Sequence, residues 1–111
     1  MIAEKAAESI EQAVVYELQN IVKNYGAVYA SEHEGYAVLK EEIEEAADDL
    51  DGINKNLAYI WALIKNNHIK KDSNALNGWE ALVETKQYAI ALAEEATQVA
   101  AVCERFLETI K

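Results

Sequence analysis

The sequence predicts an all-α fold of three helices per subunit, one of them a long central helix. Proline is absent and glycine occurs only four times, while residues of high helix propensity dominate the chain. Apolar residues recur at spacings of three and four, which places them along one face of a helix. With 111 residues, we expect a single domain covering residues 1–111, too short to bury a large core by itself.

A first helix is predicted over about residues 2–24. Its apolar stripe contains Ala7, Ile10, Val14, Leu18, Ile21 and Tyr25. Gly26 is the predicted stop, because glycine accepts the left-handed conformation that follows many helix ends.

The central helix is predicted over about residues 32–67. Ser31-Glu32-His33-Glu34 matches the S-x-x-E capping box, in which Ser31 and Glu34 each accept a hydrogen bond from the other's backbone N–H. The apolar spacing runs on from there to Ile64 without a change of phase at Gly52. A continuous helix is therefore predicted, although a glycine inside it costs about 1 kcal/mol relative to alanine. A break at Asp51-Gly52 is the alternative.

A third helix is predicted over about residues 75–110, after a turn-rich connection at residues 66–74. One apolar stripe contains Trp79, Leu82, Ala89, Ala93, Ala96, Ala100, Cys103, Leu107 and Ile110, and a second contains Tyr88, Ala91, Leu92, Val99, Val102 and Phe106. They leave a narrow strip, predicted to be solvated, with Glu94, Ala101, Arg105 and Glu108. A helix with two apolar faces needs two neighbours, and about 35 helical residues extend about 50 Å. We therefore expect a homodimer or homotetramer that completes a helical bundle.

The net charge of −10 argues against binding to nucleic acid or to anionic membranes, which both require clustered Lys and Arg. No apolar stretch approaches the roughly 20 residues of a membrane span. The only cysteine, Cys103, has no partner for an internal disulfide, and the N-terminus lacks the basic and apolar segments of a signal peptide. We expect a cytoplasmic protein.

Residues 32–51 concentrate the negative charge, with nine carboxylates and only Lys40 to oppose them. Helical spacing places Glu42 beside Glu45, and places Glu41, Glu45 and Asp48 on a common side. A solvated acidic face near a helix N-terminus is one interpretation. A divalent-cation site is the other, because Mg²⁺ prefers carboxylate oxygens and keeps coordination positions for water and phosphate.

Glu95 favours the cation site. It lies between Leu92 and Val99 in an otherwise apolar stripe, where a carboxylate is costly unless it is paired or binds a metal. Gln98, one turn further on, has a carbonyl oxygen that could coordinate the same ion. The alternative is that Glu95 meets a lysine or a backbone donor across an oligomer interface.

Two segments carry a resemblance to a known family. The segment Glu41-Glu42-Ile43-Glu44-Glu45 resembles the EExxE motif of the MazG-like all-α nucleoside triphosphate pyrophosphohydrolases, and the segment from Glu95 to Gln98 resembles their later ExxD motif. The sequence around both also looks like that of small phage and prophage proteins. The resemblance implies that Mg²⁺ is held by Glu42, Glu45 and Glu95, with Gln98 at the fourth ligand position and Glu41 activating the attacking water.

The chain departs from this family pattern in two ways. Gln98 stands where the family has aspartate, which removes one negative charge, and the gap between the motifs is longer than usual. The expected function is therefore Mg²⁺ and nucleotide binding, with weak or lost pyrophosphohydrolase activity. The alternative is a noncatalytic phage-type interaction or assembly protein with the same helical fold.

Overall fold

The part of the chain that the structure describes folds into helices, as the sequence predicts. The computed structural model describes residues 1–66 and 78–111, and these ranges contain three helices and no strand. The helices are α1 (Glu4–Tyr25), α2 (Glu32–Lys65) and α3 (Gly78–Thr109). The predicted bounds agree to within two residues wherever the structure describes them. Most of the predicted second connection, and the predicted start of α3 at residue 75, lie outside the described residues.

Helix α1 ends at the predicted glycine, but with a different conformation. The Gly26 N–H donates to the Val22 carbonyl at 2.8 Å, closing the last turn. Gly26 has φ 93° and ψ 170°, so it leaves the helix in an extended form and not in the predicted left-handed helical one. This combination of angles is open essentially to glycine alone. The stop is thus confirmed, and glycine is required there.

Helix α2 begins with one half of the predicted capping box. The Glu34 N–H donates to Ser31 Oγ at 3.1 Å, as expected of an N-cap serine. The Glu34 carboxylate instead accepts from the N–H of Ala30 at 3.4 Å, one residue earlier than the capping box predicts. The helix begins at Glu32, as predicted.

Helix α2 passes through Gly52 without interruption, so the alternative of a break there is wrong. A Cβ atom at Gly52 would lie 2.7 to 2.9 Å from three ring atoms of Tyr88 on α3. One turn further along α2, the Asn56 side-chain amide donates to Glu84 of α3 at 3.0 Å. The missing side chain of Gly52 therefore lets the Tyr88 ring lie directly against the α2 backbone.

The chain divides into two compact units. Residues Met1–Glu45 together with Glu94–Lys111 form the first unit, and Ala46–Ala93 form the second. The described core of the first contains Tyr29, Ala101, Val102 and Arg105, with Phe106 meeting the Tyr29 ring edge-on at 6.1 Å between centroids. In the described part of the second, Ala81 is the buried apolar residue. The single domain stays a prediction.

The predicted solvated strip of α3 is wrong in two of its four positions. Ala101 is fully buried and Arg105 is 7% exposed, whereas Trp79, Leu82, Leu107 and Ile110 of the predicted core stripe are more than half exposed. Helical spacing places residues on a common face, but it does not determine which face a neighbouring helix covers. Among the described residues, none of the helices is long and apolar enough to cross a membrane.

Candidate metal centre

Three of the predicted site residues converge in the first compact unit. Glu42 and Glu45 lie three residues apart on α2, and Glu95 lies on α3. One carboxylate oxygen from each of the three lies within 4.8 Å of the others. Glu42 and Glu95 are partly buried, and Glu45 is exposed. Helical spacing explains the first pair, and the packing of α3 adds Glu95 from 50 positions along the chain.

Gln98 joins the same cluster. With its amide nitrogen facing the carboxylates, Gln98 donates to Glu42 Oε2 at 2.8 Å and to Glu95 Oε2 at 3.1 Å. This orientation follows from the hydrogen bonds, because the amide oxygen in the same place would face only acceptors. A cation between these groups would favour the opposite orientation of the Gln98 amide, because the carbonyl oxygen would then face a positive charge. Gln98 therefore suits both the ion-free cluster and the ion-bound one.

Two carboxyl groups of the cluster, those of Glu95 and Glu42, have raised pKa values. Burial, together with the hydrogen bonds and negative charges of Glu45 and Glu42, raises the pKa of Glu95 from 4.5 to about 7. Burial and the charge of Glu45 also raise the pKa of Glu42, while its hydrogen bond with Glu95 lowers it. Like charges this close cannot all be held without a compensating proton or cation. Near neutral pH, the cluster accordingly holds a proton that a divalent cation could replace.

Glu41 does not belong to this convergent group. It is exposed on α2, and its negative charge contributes to the raised pKa of Glu42. Asp48 is also exposed and outside the group. Two further carboxylates form ion pairs along α2, Glu44 with Lys40 and Asp51 with Lys55. The solvated acidic face is therefore the correct interpretation for part of the residue 32–51 charge, whereas Glu42 and Glu45 approach Glu95 of α3.

Arg105 is a buried residue that binds the backbone after α1, and the sequence analysis had placed it on a solvated strip. Its Nη2 donates to the carbonyls of Tyr25 at 2.9 Å and Val28 at 3.1 Å, and its Nε donates to that of Gly26 at 3.0 Å. Its guanidinium lies 4.1 Å from the centre of the Tyr29 ring. These bonds satisfy carbonyls that the end of α1 leaves without helical partners. The sequence signal that could have indicated its burial is that Arg105 lies beside Phe106 and three residues after Val102, both in the second apolar stripe of α3.

A cavity of about 420 Å³ adjoins the cluster within the same compact unit. Its lining contains Glu17, Ile21, Tyr25, Tyr29, Glu34, Val38, Glu42, Gln98, Val102 and Arg105. Glu42 and Gln98 are thus shared by the cavity and the carboxylate cluster. The volume lies within the range of small-molecule sites, roughly 300–1,000 Å³.

These features define a helical protein with a candidate divalent-cation centre beside a small-molecule cavity. Comparisons with known protein families, with curated proteins and with solved structures found no match to this chain. Its function is therefore argued from the site itself.

Proposed function

We propose that this chain is a MazG-like helical protein that binds Mg²⁺ through Glu42, Glu45 and Glu95 and, through the ion, a nucleoside triphosphate. Gln98 would supply a fourth ligand by turning its carbonyl oxygen toward the ion. The observation that carries the proposal is the meeting of Glu95 with two glutamates of another helix. Pyrophosphohydrolase activity would be weak or lost, and Glu41 is the candidate for activating water.

The spacing of the three carboxylates suits a small divalent cation. Mg²⁺ binds oxygen at 2.0–2.1 Å, so two oxygens on one ion are at most about 4.2 Å apart. The cluster oxygens lie within 4.8 Å of one another, so small side-chain rotations bring all three into range. Replacing the shared proton by the ion would also relieve the repulsion that raises the Glu95 pKa.

The ligand count supports a nucleotide on the bound ion. Mg²⁺ is six-coordinate, and three carboxylates with one amide oxygen leave about two positions for water or phosphate oxygens. Without an acid at Gln98, the site carries one negative charge fewer than the family pattern. Polarisation of the phosphate and of the attacking water depends on this ion, so weaker ion binding accounts for the weak or lost activity proposed here.

The test is calorimetric titration with Mg²⁺, alone and with a nonhydrolysable nucleoside triphosphate analogue. We expect saturable Mg²⁺ binding, followed by analogue binding that requires the ion. Glu42→Gln with Glu45→Gln should abolish both, whereas Glu94→Gln, an exposed neighbour of the cluster, should change neither. Wild-type protein that binds no Mg²⁺, or a double variant that binds it normally, would refute the metal centre. Mg²⁺ binding without analogue binding would refute the nucleotide alone.

A second candidate function is a noncatalytic phage-type interaction or assembly protein that forms a homodimer or homotetramer. The observation that favours it is the exposure of large apolar residues, among them Trp79 at 74% and Trp61 at 57%. It predicts that Glu95→Gln changes the oligomeric state measured by light scattering, while Mg²⁺ has no effect on the protein. A monomer at all concentrations would exclude this function as stated.

A further inference from the structure

Helix α2 carries a row of exposed apolar side chains along one side. Five large apolar residues recur at every seventh position, and each is between 42% and 63% exposed: Tyr36, Ile43, Leu50, Leu57 and Ile64. The positions between them on the same side of the helix are exposed as well: Lys40, Ala47, Asn54 and Trp61. We call these nine residues the exposed row of α2. Polar Lys40 and Asn54 interrupt it, but its apolar repeat covers most of the helix.

The exposed row is distinct from the sides of α2 described above. Helix α3 lies against another side, where Phe106 meets Gly35 in the first compact unit and Tyr88 meets Gly52 in the second. The solvated acidic side contains Glu41 and Asp48. Helix α2 therefore has two apolar sides, and a helix with two apolar sides needs two neighbours. Among the described residues, α3 supplies one of them.

The period of the exposed row indicates that the missing neighbour is another helix. A straight α-helix has 3.6 residues per turn, so residues seven apart drift around it by about 20° per repeat. From Tyr36 to Ile64 the row extends about 42 Å, over which the drift amounts to about 80°. A second helix that winds around α2 stays in contact with such a row along its whole length. The row therefore suits a long helix as its partner.

The charge of α2 favours a second copy of the same helix in antiparallel orientation. Residues 32–51 carry nine carboxylates and one lysine, whereas residues 52–65 carry Lys55 and Lys65 and no carboxylate. Antiparallel pairing places the acidic half of each copy beside the basic half of the other, and parallel pairing would align the two acidic halves. The apolar row is also symmetric in spacing about Leu50, so a two-fold rotation there superimposes its two ends.

The surface area of the chain agrees with a partner of this size. The chain exposes 8232 Å², whereas a folded monomer of 12.4 kDa typically exposes about 6,100 Å². Half of this surplus of about 2,100 Å² already exceeds the roughly 800 Å² that each partner buries in a standard protein–protein interface. The chain therefore exposes enough surface to form a stable dimer.

We propose that α2 pairs with α2 of a second copy of this chain, antiparallel, along the exposed row and with Leu50 near the two-fold axis. This inference rests on the homo-oligomer of the second candidate function and deepens it by naming the surface that joins the copies. It does not depend on the metal centre, because Glu42, Glu45 and Glu95 lie outside the row.

The first test is the mass of the whole protein, measured by light scattering in EDTA. We expect a dimer of twice the 12.4 kDa chain mass. Leu50→Glu should weaken association about a hundredfold or more, because it brings two like charges together near the axis. Ile10→Glu is the matched control, since Ile10 is 51% exposed on α1 and Leu50 is 47% exposed on α2. The control should remain a dimer, and circular dichroism checks that both variants keep their helices.

The second test is the orientation, measured by crosslinking in a Cys103→Ser background. Chains with Ile43→Cys are mixed with tagged chains with Leu57→Cys and treated with a short bis-maleimide, so that the products differ in mass. Antiparallel pairing brings position 43 close to position 57 of the other copy, and it separates the two copies of position 43 by about 21 Å along the helix axis. We expect crosslinks between the two kinds of chain, whereas parallel pairing would crosslink like chains.

The outcomes separate this interface from the proposed functions. A wild-type monomer would overturn both the interface and the assembly function, and it would leave the metal centre unaffected. An oligomer whose mass Leu50→Glu does not change, or that Ile10→Glu dissociates equally, would overturn the interface alone. A larger oligomer that Leu50→Glu reduces to half its mass would support the interface. Crosslinks between like chains would overturn the orientation, and if Leu50→Glu does not fold, the crosslinking result decides the proposal.

Discussion

Glu95→Gln should stabilise the metal-free protein at pH 8 while removing its response to Mg²⁺. The raised pKa of Glu95 means that the folded state binds a proton there more tightly than the unfolded chain does. The stabilisation that the proton provides is complete below pH 4.5 and is lost as the pH rises through about 7. Glutamine has the shape of the protonated acid and stays neutral at every pH. The free energy of unfolding of Glu95→Gln should therefore not fall in this way as the pH rises.

The size of the effect follows from the pKa shift. A rise from 4.5 to about 7 corresponds to at most about 3.5 kcal/mol, at about 1.4 kcal/mol for each pKa unit. Water reaches the cluster, since Glu45 is exposed, and screening reduces the expected difference to about 1–2 kcal/mol. At pH 5, where Glu95 is protonated in the folded wild type but the unfolded chain has begun to ionise, the difference should be smaller, below about 1 kcal/mol. The size of the stability difference thus increases with pH.

Urea denaturation followed by circular dichroism measures this difference, at pH 5 and pH 8 with EDTA and at pH 8 with Mg²⁺. Mg²⁺ at 100 times its dissociation constant should add about 2.7 kcal/mol to the wild-type free energy of unfolding and little to the variant's. Glu94→Gln removes an exposed carboxylate from the adjacent position and should follow the wild type in all three conditions. A variant less stable than the wild type at pH 8 in EDTA would show that the carboxylates do not repel one another as argued.

Three further substitutions test the fold. Gly52→Ala should lower the free energy of unfolding by about 1–2 kcal/mol despite its better helix propensity, because the new Cβ meets Tyr88. When Tyr88→Ala is already present, Gly52→Ala should instead raise the free energy of unfolding. Urea denaturation measures both effects. Arg105→Met should cost at least about 3 kcal/mol in the same assay, since three carbonyls lose their donor, and an effect below 1 kcal/mol would contradict that role. Gly26→Ala should cost about 1–3 kcal/mol because of its φ of 93°, and an unchanged melting temperature would show that the turn adapts.

Much of the helical structure was predictable because its causes are local. The apolar spacing predicts where each helix runs, and Gly26 and Ser31 predict where α1 ends and where α2 begins. Glu42 and Glu45 were predictable as neighbours for the same reason, since residues three apart on a helix share a side. The conformation of Gly26 was not predictable in detail, because several positive-φ conformations end a helix equally well.

The face that α3 buries was not predictable from its spacing. Two apolar stripes compete on this helix, and neither contains Arg105 or Ala101, which are among its most buried residues. Arg105 is buried because carbonyls at the end of α1 need donors, which is a requirement set by another part of the chain. The small side chain of Ala101 likewise becomes useful only where another helix approaches closely.

The sequence alone determined the three helices, the continuity of α2 through Gly52 and the pairing of Glu42 with Glu45, because each depends on residues within a few turns of one another. Tertiary structure decided that Glu95 completes the carboxylate cluster and that Tyr88 covers Gly52. It also decided that Arg105 is a core residue. These three contacts join positions that are 36 to 80 residues apart. Their register depends on how side chains pack between helices, which the period of any one helix does not specify.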